Sequence, residues 1–302
     1  MTLTSYQAPL SRWKIWLLAA RPKTLPAAVA PVLVGSALAL QAGGFRPLPA
    51  LLCLAFALLI QIGANYANDY FDFCQGADGP DRMGPSRAVA SGWVTPPAML
   101  WATILVLVLA FLVGVNLVLY SGWWLVGVGV ICILCALAYT GGPYPLGYNG
   151  LGDLFVFVFF GPVAVMLTVY LQTGELGWGA WWAGAACGLL AANILVINNY
   201  RDAAGDARVG KRTLVVRYGR RFARLQYFYS WLIAMAAPVL IGLAGAGPWV
   251  LIACLSLPLA FRLNARLLHA QTRNDFQDLL AGSARLLLVY ALLLSLGLFL
   301  GR

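Results

Sequence analysis

Charged side chains and histidine are scarce in this chain of 302 residues. Lysine and arginine together number 20, aspartate and glutamate 10, and histidine one, so only 10% of the residues are charged. Hydrophobic residues make up 62% and the mean hydropathy is +0.81, whereas soluble domains are roughly 45–50% apolar. Folding alone cannot hide so much apolar surface from water. The composition therefore excludes a soluble globular protein and indicates that the membrane is its solvent.

The single histidine and the six cysteines exclude several further kinds of chemistry. Most cysteines fall inside apolar stretches, and the CxxC pair Cys132 and Cys135 has no second ligand pair nearby, so we expect neither disulfides nor zinc. No Ser/His or Cys/His arrangement is present, and we interpret His269 as structural. The net charge of +10 is explained by membrane topology and anionic lipid, so no nucleic acid is expected as a partner.

Long apolar runs are abundant, and a helix needs about 20 apolar residues to cross the hydrocarbon layer. We predict one transmembrane domain over residues 1–302, all-α, with 1–22 as an interfacial segment and no cleavable signal peptide. The nine predicted spans are 25–42, 48–68, 98–119, 122–140, 153–171, 179–199, 227–245, 247–263 and 284–301. Pro258 interrupts the eighth, so eight spans with a re-entrant segment are the alternative.

The distribution of charge predicts the topology independently of hydropathy. With a cytoplasmic amino terminus, every lysine and arginine except Arg46 and Arg302 faces the cytoplasm, as the positive-inside rule requires. The acidic residues follow the same side, with Glu175 alone outside. We therefore expect any chemistry that uses charge at the cytoplasmic face.

Two polar segments of the same design follow the second and the sixth predicted span, at 65–87 and 198–212. In each, an apolar helix runs into asparagine and then carboxylates, and a basic segment containing glycine follows. Asp72 and Asp202 occupy corresponding positions in the two segments. The match suggests an internal duplication of a four-helix unit.

The spacing within these segments predicts a metal site. Residues four apart lie on one face of a helix, which pairs Asn68 with Asp72 and aligns Asn198, Asp202 and Asp206. Carboxylates sharing a face at a membrane boundary repel each other unless a cation compensates. Mg²⁺ prefers oxygen ligands and binds carboxylates together with substrate phosphates, which nearby basic residues would also contact. Simple helix capping or solvation of these side chains is the alternative.

The motifs resemble those of the UbiA superfamily of intramembrane prenyltransferases. The resemblance is carried by Arg21-Pro22-Lys23-Thr24, by an Asn-Asp-Tyr-x-Asp run ending at Asp72 with its Asp-Arg-x-Gly-Pro-x-Arg continuation, and by Arg201-Asp202-x-x-x-Asp206 followed by Gly-Lys-Arg-Thr-Leu. Within the superfamily, the segments are similar to the branch that prenylates 1,4-dihydroxy-2-naphthoate. The chain departs from the general pattern at Gly76, where an acid is usual, and its next acid is Asp78.

The resemblance implies about nine transmembrane helices around a central cavity open to the cytoplasm, in a bacterial inner membrane. It implies transfer of a polyprenyl group from polyprenyl diphosphate to 1,4-dihydroxy-2-naphthoate with decarboxylation, giving demethylmenaquinone, with two Mg²⁺ ions. The implied metal ligands are Asn68, Asp69, Asp72, Asp78, Asn198, Asp202 and Asp206. The implied catalytic residues are Asp72, Asp202, Asp206, Lys23 and Tyr139. The implied substrate-binding residues are Arg21, Lys23, Asn65, Arg82, Arg87, Tyr144, Lys211 and Arg212.

Several alternatives remain open at this point. The chain could prenylate 4-hydroxybenzoate or another acceptor, and either Arg21 or Lys23 could bind the acceptor carboxylate. Small residues such as Gly129, Gly161 and Gly188 could serve close helix packing or leave room for a prenyl chain. A cation-coupled transporter is the non-enzymatic alternative, although it should carry acids near mid-span. The enzymatic interpretation requires the ends of the second and sixth spans to share one cavity.

Overall fold

The computed structural model describes residues 11–78 and 84–302, and all regular structure within them is helical. The first half of the chain contains α1 (Arg12–Ala19), a 3₁₀ turn (Pro22–Thr24), α2 (Pro26–Gln41), α3 (Pro47–Cys74), α4 (Pro96–Val115), α5 (Val118–Ser121) and α6 (Trp124–Ala138). Proline occupies the first helical position of α2, α3 and α4, where its missing N–H costs no hydrogen bond.

The second half begins with α7 (Gly152–Val158), which continues through a π-helical turn (Phe159–Val163) into α8 (Ala164–Thr173). It continues with α9 (Trp178–Arg208), α10 (Leu214–Ile241), a π-helical turn (Gly242–Ala246), a 3₁₀ segment (Pro248–Ser256), α11 (Leu257–His269) and α12 (Arg273–Leu300). A capping box formed by Thr272 and Asp275 begins α12. The side chain of each residue accepts a hydrogen bond from the backbone N–H of the other.

The structure does not confirm the predicted number of membrane spans. Within the described residues, seven helical segments are long and apolar enough to cross a membrane, and the bent pair Arg12–Thr24 and Pro26–Gln41 makes an eighth if counted as one span. Each predicted span coincides with a helical segment, but α6 has only 15 residues, so the count of nine is not confirmed. The segment that Pro258 interrupts is among the seven, because its 3₁₀ part runs directly into α11.

The helices α3 and α9 extend beyond the predicted spans. We predicted ends at residues 68 and 199, whereas α3 continues to Cys74 and α9 to Arg208. Asp72, Asp202 and Asp206 therefore lie on the last turns of these helices and not in loops. Of the predicted interfacial segment, residues 1–10 lie outside the described residues, and α1 bends by 54° from α2 through the turn between them.

The largest hydrophobic core surrounds α9, which packs against α2, α7, α10 and α12. Glycine allows the closest of these approaches: a Cβ built on Gly188 would lie 2.3 Å from the carbonyl oxygen of Phe157, and one built on Gly161 would lie 2.5 Å from the carbonyl oxygen of Gly184. Gly129 on α6 has open space around its Cβ position and lines a cavity. The predicted small residues thus serve both purposes, close packing at Gly161 and Gly188 and room at Gly129.

Candidate active site

A largely apolar cavity of about 270 Å³ lies between α3 and α9, with α2, α6, α7 and α8 completing its walls. Most of the wall consists of aromatic and aliphatic side chains, such as Phe56, Ile60, Leu125, Phe155, Phe159 and Leu167. The polar side chains near the ends of the long helices include Arg21, Gln61, Asn65, Asn68, Tyr139 and Asn198. The cavity is therefore suited to an elongated apolar molecule with a polar end.

The two polar segments meet at this cavity. Asn68 of α3 and Asn198 of α9 both line it, and Asp72 and Asp202 follow each asparagine by one helical turn, about 5.4 Å further along the axis. Asp206 lies one turn beyond Asp202 on the same face. The structure thus brings the ends of α3 and α9 to one cavity, which is the arrangement that the enzymatic interpretation requires.

Each of the three carboxylates is paired with a cation. Arg87 Nη2 lies 2.8 Å from Asp72 Oδ2, Arg201 donates to both oxygens of Asp202 at 2.8 and 2.6 Å, and Lys211 Nζ lies 3.6 Å from Asp206 Oδ1. Asp78 joins the first pair, since its Oδ1 lies 3.4 Å from Arg87 Nε. Because these groups are mostly buried, the pairing offsets the cost of placing charge away from water.

The loop between α6 and α7, residues 139–151, covers the ends of α3 and α9. Thr140 Oγ1 donates to Asn68 Oδ1 at 2.7 Å, and Gln75 Nε2 donates to the carbonyl oxygen of Thr140 at 2.8 Å. On the other side, the backbone N–H of Arg212 donates to the carbonyl oxygen of Tyr148 at 2.7 Å. The loop therefore connects the two polar segments and closes one side of the site.

Tyr148 and Arg201 are site residues that were not among those predicted from the sequence, and Tyr148 belongs to the loop. Its hydroxyl donates to Asp72 Oδ1 at 2.8 Å, and Lys211 Nζ lies 5.1 Å from its ring centroid. Burial raises the pKa of the Tyr148 phenol, and the charge of Asp72, the hydrogen bond to Asp72 and the charges of Asp206 and Asp78 raise it further. The phenol is therefore protonated at neutral pH and acts as a hydrogen-bond donor. Nothing in the loop sequence distinguishes it from Tyr139 and Tyr144.

Some predicted site residues lie elsewhere. The two carboxylate oxygens of Asp69 accept hydrogen bonds from the backbone N–H groups of Ala88 and Val89, at 3.0 and 3.1 Å, so we replace its predicted metal-binding role with anchoring of that segment. Tyr144 is 59% exposed and does not line the cavity. Lys23 is also exposed and does not line the cavity. Arg82 lies outside the described residues.

The donor atoms are chemically suited to Mg²⁺, but they do not form a finished metal cage. The asparagine and aspartate side chains offer only oxygen, and Asp206 Oδ2 is buried without a hydrogen-bond partner. However, no group of three or more His, Cys, Asp or Glu side chains in residues 11–78 and 84–302 is arranged to hold a metal ion. Asn68 and Asn198 line the cavity, and Asp72, Asp202 and Asp206 are each held by a cationic side chain.

The fold and the site define a class: a helical membrane protein of several spans, with an apolar cavity lined by asparagines of two helices whose next turns carry acidic side chains paired with basic ones. The chain belongs to the UbiA prenyltransferase family, whose profile matches residues 28–289.

Named relatives and solved structures agree with this membership. The chain is 42% identical over 277 residues to the 1,4-dihydroxy-2-naphthoate octaprenyltransferase of Mycobacterium tuberculosis, covering 92% of this chain and 94% of the relative. It is 43% identical over 259 residues to the protein of the same name from Escherichia coli, covering 77% and 84%. An apo UbiA homologue from Aeropyrum pernix has a TM-score of 0.69 at 16% identity, covering 90% and 97%. A UbiA homologue from Archaeoglobus fulgidus bound to DMAPP and Mg²⁺ has a TM-score of 0.59 at 16% identity, covering 93% and 99%.

Proposed function

We propose that this chain transfers a polyprenyl group from polyprenyl diphosphate to 1,4-dihydroxy-2-naphthoate, with loss of CO₂, to give the quinol form of demethylmenaquinone. The observation that carries the proposal is the meeting of Asn68 and Asn198 at one apolar cavity, with Asp72, Asp202 and Asp206 on the next turns. The two relatives named for this acceptor, each at least 42% identical, support the choice of substrate.

The residues that would hold Mg²⁺ are Asn68, Asp72, Asn198, Asp202 and Asp206, and the stated ligands of the Archaeoglobus fulgidus homologue support metal dependence. Bound metal ions would neutralise the diphosphate and make it a better leaving group. By resemblance to the family, we propose that two Mg²⁺ ions bind. A divalent cation and a diphosphate together would supply new partners for both the carboxylates and the cations of the existing ion pairs.

The side chains of the chain itself would act mainly by binding and orientation. Arg87 and Lys211, now paired with Asp72 and Asp206, would bind the diphosphate as the allylic C–O bond breaks and negative charge accumulates on it. The ring carbon that carries the carboxylate forms the new C–C bond. Its bond to the carboxylate then breaks, CO₂ leaves, and the ring regains its aromaticity. No covalent bond to a protein side chain forms at any step.

The size of the cavity bears on the prenyl chain. Its volume, about 270 Å³, is below the range of about 300–1,000 Å³ typical of small-molecule sites. A diphosphate with an allylic unit and an aromatic ring would fill it. We therefore propose that the remaining isoprene units extend past the cavity into the lipid.

We also propose that the protein lies in a bacterial inner membrane with its amino terminus in the cytoplasm. The positive-inside distribution supports a cytoplasmic amino terminus and a site that opens toward the cytoplasm of a bacterial inner membrane. No acidic side chain from the described residues lines the cavity, and this supports an enzyme over a cation-coupled transporter, which needs acids along its pathway.

One assay tests the function directly. Membranes containing the chain should convert labelled polyprenyl diphosphate and 1,4-dihydroxy-2-naphthoate to the quinol form of demethylmenaquinone, which air oxidises to demethylmenaquinone during extraction, and a chelator should stop the reaction. Asp72→Ala or Asp202→Ala should each lower turnover by at least about 100-fold, since each leaves a mostly buried arginine without its carboxylate and removes a metal ligand. Equal turnover of 4-hydroxybenzoate would reassign the acceptor, and activity that survives chelation would overturn the metal-dependent mechanism.

A further inference from the structure

Arg21 is the charged side chain that lines the cavity, and among the described residues no other charged group does so. Its backbone φ is 52°, in the left-handed region, and it is the one non-glycine residue with positive φ in the part of the chain that the structure describes. An L-residue pays for this conformation through contact between Cβ and the backbone. Neighbouring groups must therefore hold Arg21 in place.

The holding groups form a compact hydrogen-bonded network centred on Thr24. Thr24 Oγ1 donates to the carbonyl oxygen of Arg21 at 2.9 Å and accepts from Gln61 Nε2 and Asn65 Nδ2, both at 3.1 Å. Asn65 Nδ2 also donates to the carbonyl oxygen of Ala20 at 2.8 Å. The carbonyl oxygen of Ala20 is thus bound directly by a buried side chain of α3, and that of Arg21 is bound through Thr24.

We propose that Arg21 binds the carboxylate of the aromatic acceptor and that Thr24 is its positioning residue. The inference rests on the proposed function and deepens it by assigning the acceptor subsite. An aromatic acid that enters this cavity carries a negative charge into apolar surroundings, where it needs a cation. A guanidinium can meet a carboxylate with two parallel hydrogen bonds. The diphosphate, by contrast, would find Arg87 and Lys211 beside the carboxylates of α3 and α9.

The first test compares two acceptors that differ only in the carboxylate, 1,4-dihydroxy-2-naphthoate and 1,4-dihydroxynaphthalene, under nitrogen. For Arg21→Gln we expect KM for the acid to rise about 10- to 100-fold, which corresponds to losing a hydrogen bond to a charged group. KM for polyprenyl diphosphate and kinetic constants for 1,4-dihydroxynaphthalene should stay within about 2-fold of the parent. A rise in KM for the diphosphate alone would assign Arg21 to the donor and overturn the proposal.

The second test addresses Thr24 with a matched pair of variants. Thr24→Val keeps the shape but loses the hydroxyl, so KM for the acid should rise about 3- to 10-fold, the effect of one ordinary hydrogen bond. Thr24→Ser keeps the hydroxyl and should restore the parent KM. If both variants change kcat and the two KM values alike, Thr24 serves only the general stability of the fold, and the positioning role is wrong.

A binding measurement separates this inference from the proposed function. Purified protein without prenyl diphosphate is titrated with each of the two naphthalene compounds, for the parent chain and for Arg21→Gln. The acid should bind the parent at least about 10-fold more tightly than the Arg21→Gln variant, and the uncharged compound should bind both alike. If the parent shows no prenyl transfer, the proposed function fails, and this titration still decides whether Arg21 selects a carboxylate. Equal binding of the acid to both proteins overturns the inference.

Discussion

At the scale of single residues, Tyr148 determines how Asp72 is presented to the site. Its hydroxyl and the guanidinium of Arg87 each contact one carboxylate oxygen of Asp72, so both oxygens are directed by buried partners. The raised pKa of the phenol keeps the proton on Tyr148. Asp72 is therefore held in one orientation by two buried partners.

Removing this hydroxyl should impair activity without unfolding the protein. For Tyr148→Phe we expect turnover to fall about 10-fold, because one mostly buried carboxylate oxygen loses its donor. The measurement is the initial rate of prenyl transfer at saturating concentrations of both substrates. Tyr229→Phe is the matched control, since Tyr229 is 53% exposed on α10, and it should retain the parent rate. An unchanged rate in Tyr148→Phe would remove Tyr148 from the site.

Asp69 should behave as a structural acid in spite of its place beside Asn68. Asp69→Ala leaves the backbone N–H groups of Ala88 and Val89 without their acceptor, which should lower the free energy of unfolding by about 2–3 kcal/mol. Thermal unfolding in detergent measures this loss. In Asp69→Asn, the Mg²⁺ concentration for half-maximal activity should match the parent, whereas Asp72→Asn should raise it. A raised Mg²⁺ requirement in Asp69→Asn would restore the predicted metal role.

Sequence reasoning placed the acidic and amide residues of the site because spacing on a helix is visible in the sequence. It could not separate Asp69 from Asp72, because a hydrogen bond to the backbone of Ala88 depends on how the chain returns after α3. The loop tyrosines were equivalent for the same reason. Only the folded loop shows that Tyr148 faces Asp72 while Tyr144 stands outward.

At the scale of helices, the close approach of α7 and its π-helical turn to α9 is the most demanding contact of the fold. A methyl group at Gly188 would meet the Phe157 carbonyl oxygen at 2.3 Å, which the backbone cannot accommodate without moving. Because Phe157 lies in α7 and Gly188 in α9, an added methyl group would push the two helices apart.

A pair of alanine variants tests this contact. Gly188→Ala should lower the free energy of unfolding by about 1–3 kcal/mol through overpacking. Gly127→Ala on α6, where nothing lies within 4 Å of the Cβ position, should be neutral or slightly stabilising because alanine favours a helix over glycine by about 1 kcal/mol. Unfolding temperatures in the same detergent measure both. Equal effects of the two variants would show that α7 and α9 are not packed as described.

The ends of the helices were the part of each element that sequence could not supply. Hydropathy falls at the asparagines, so the predicted spans stop there, yet α3 and α9 continue because their last turns point polar side chains into a polar site. The span predicted at 122–140 contains α6, whose 15 residues do not confirm a complete crossing, because apolar content alone does not distinguish a crossing from burial within the protein.

At the scale of the whole molecule, the topology can be tested with a native side chain. Cys74, at the end of α3, is the exposed one of the six cysteines. If the site opens to the cytoplasm, a membrane-impermeant maleimide should label Cys74 in inverted vesicles and leave it unmodified in right-side-out vesicles. Cys74→Ser should abolish the labelling in both. Labelling from the outer side alone would reverse the proposed orientation.

The pairing of acids with bases gives the protein a self-neutralised resting state. Asp72, Asp202 and Asp206 each carry their own counterion from the chain, so we expect the protein to fold without magnesium. A chelator should therefore abolish turnover while the unfolding temperature changes by less than about 2 °C. Such a change corresponds to less than about 1 kcal/mol in the free energy of unfolding. Melting scans and rate assays on the same chelated sample would check this, and activity should return when Mg²⁺ is restored. Magnesium would then bind together with the diphosphate and leave with it. The helices would keep their positions between one turnover and the next.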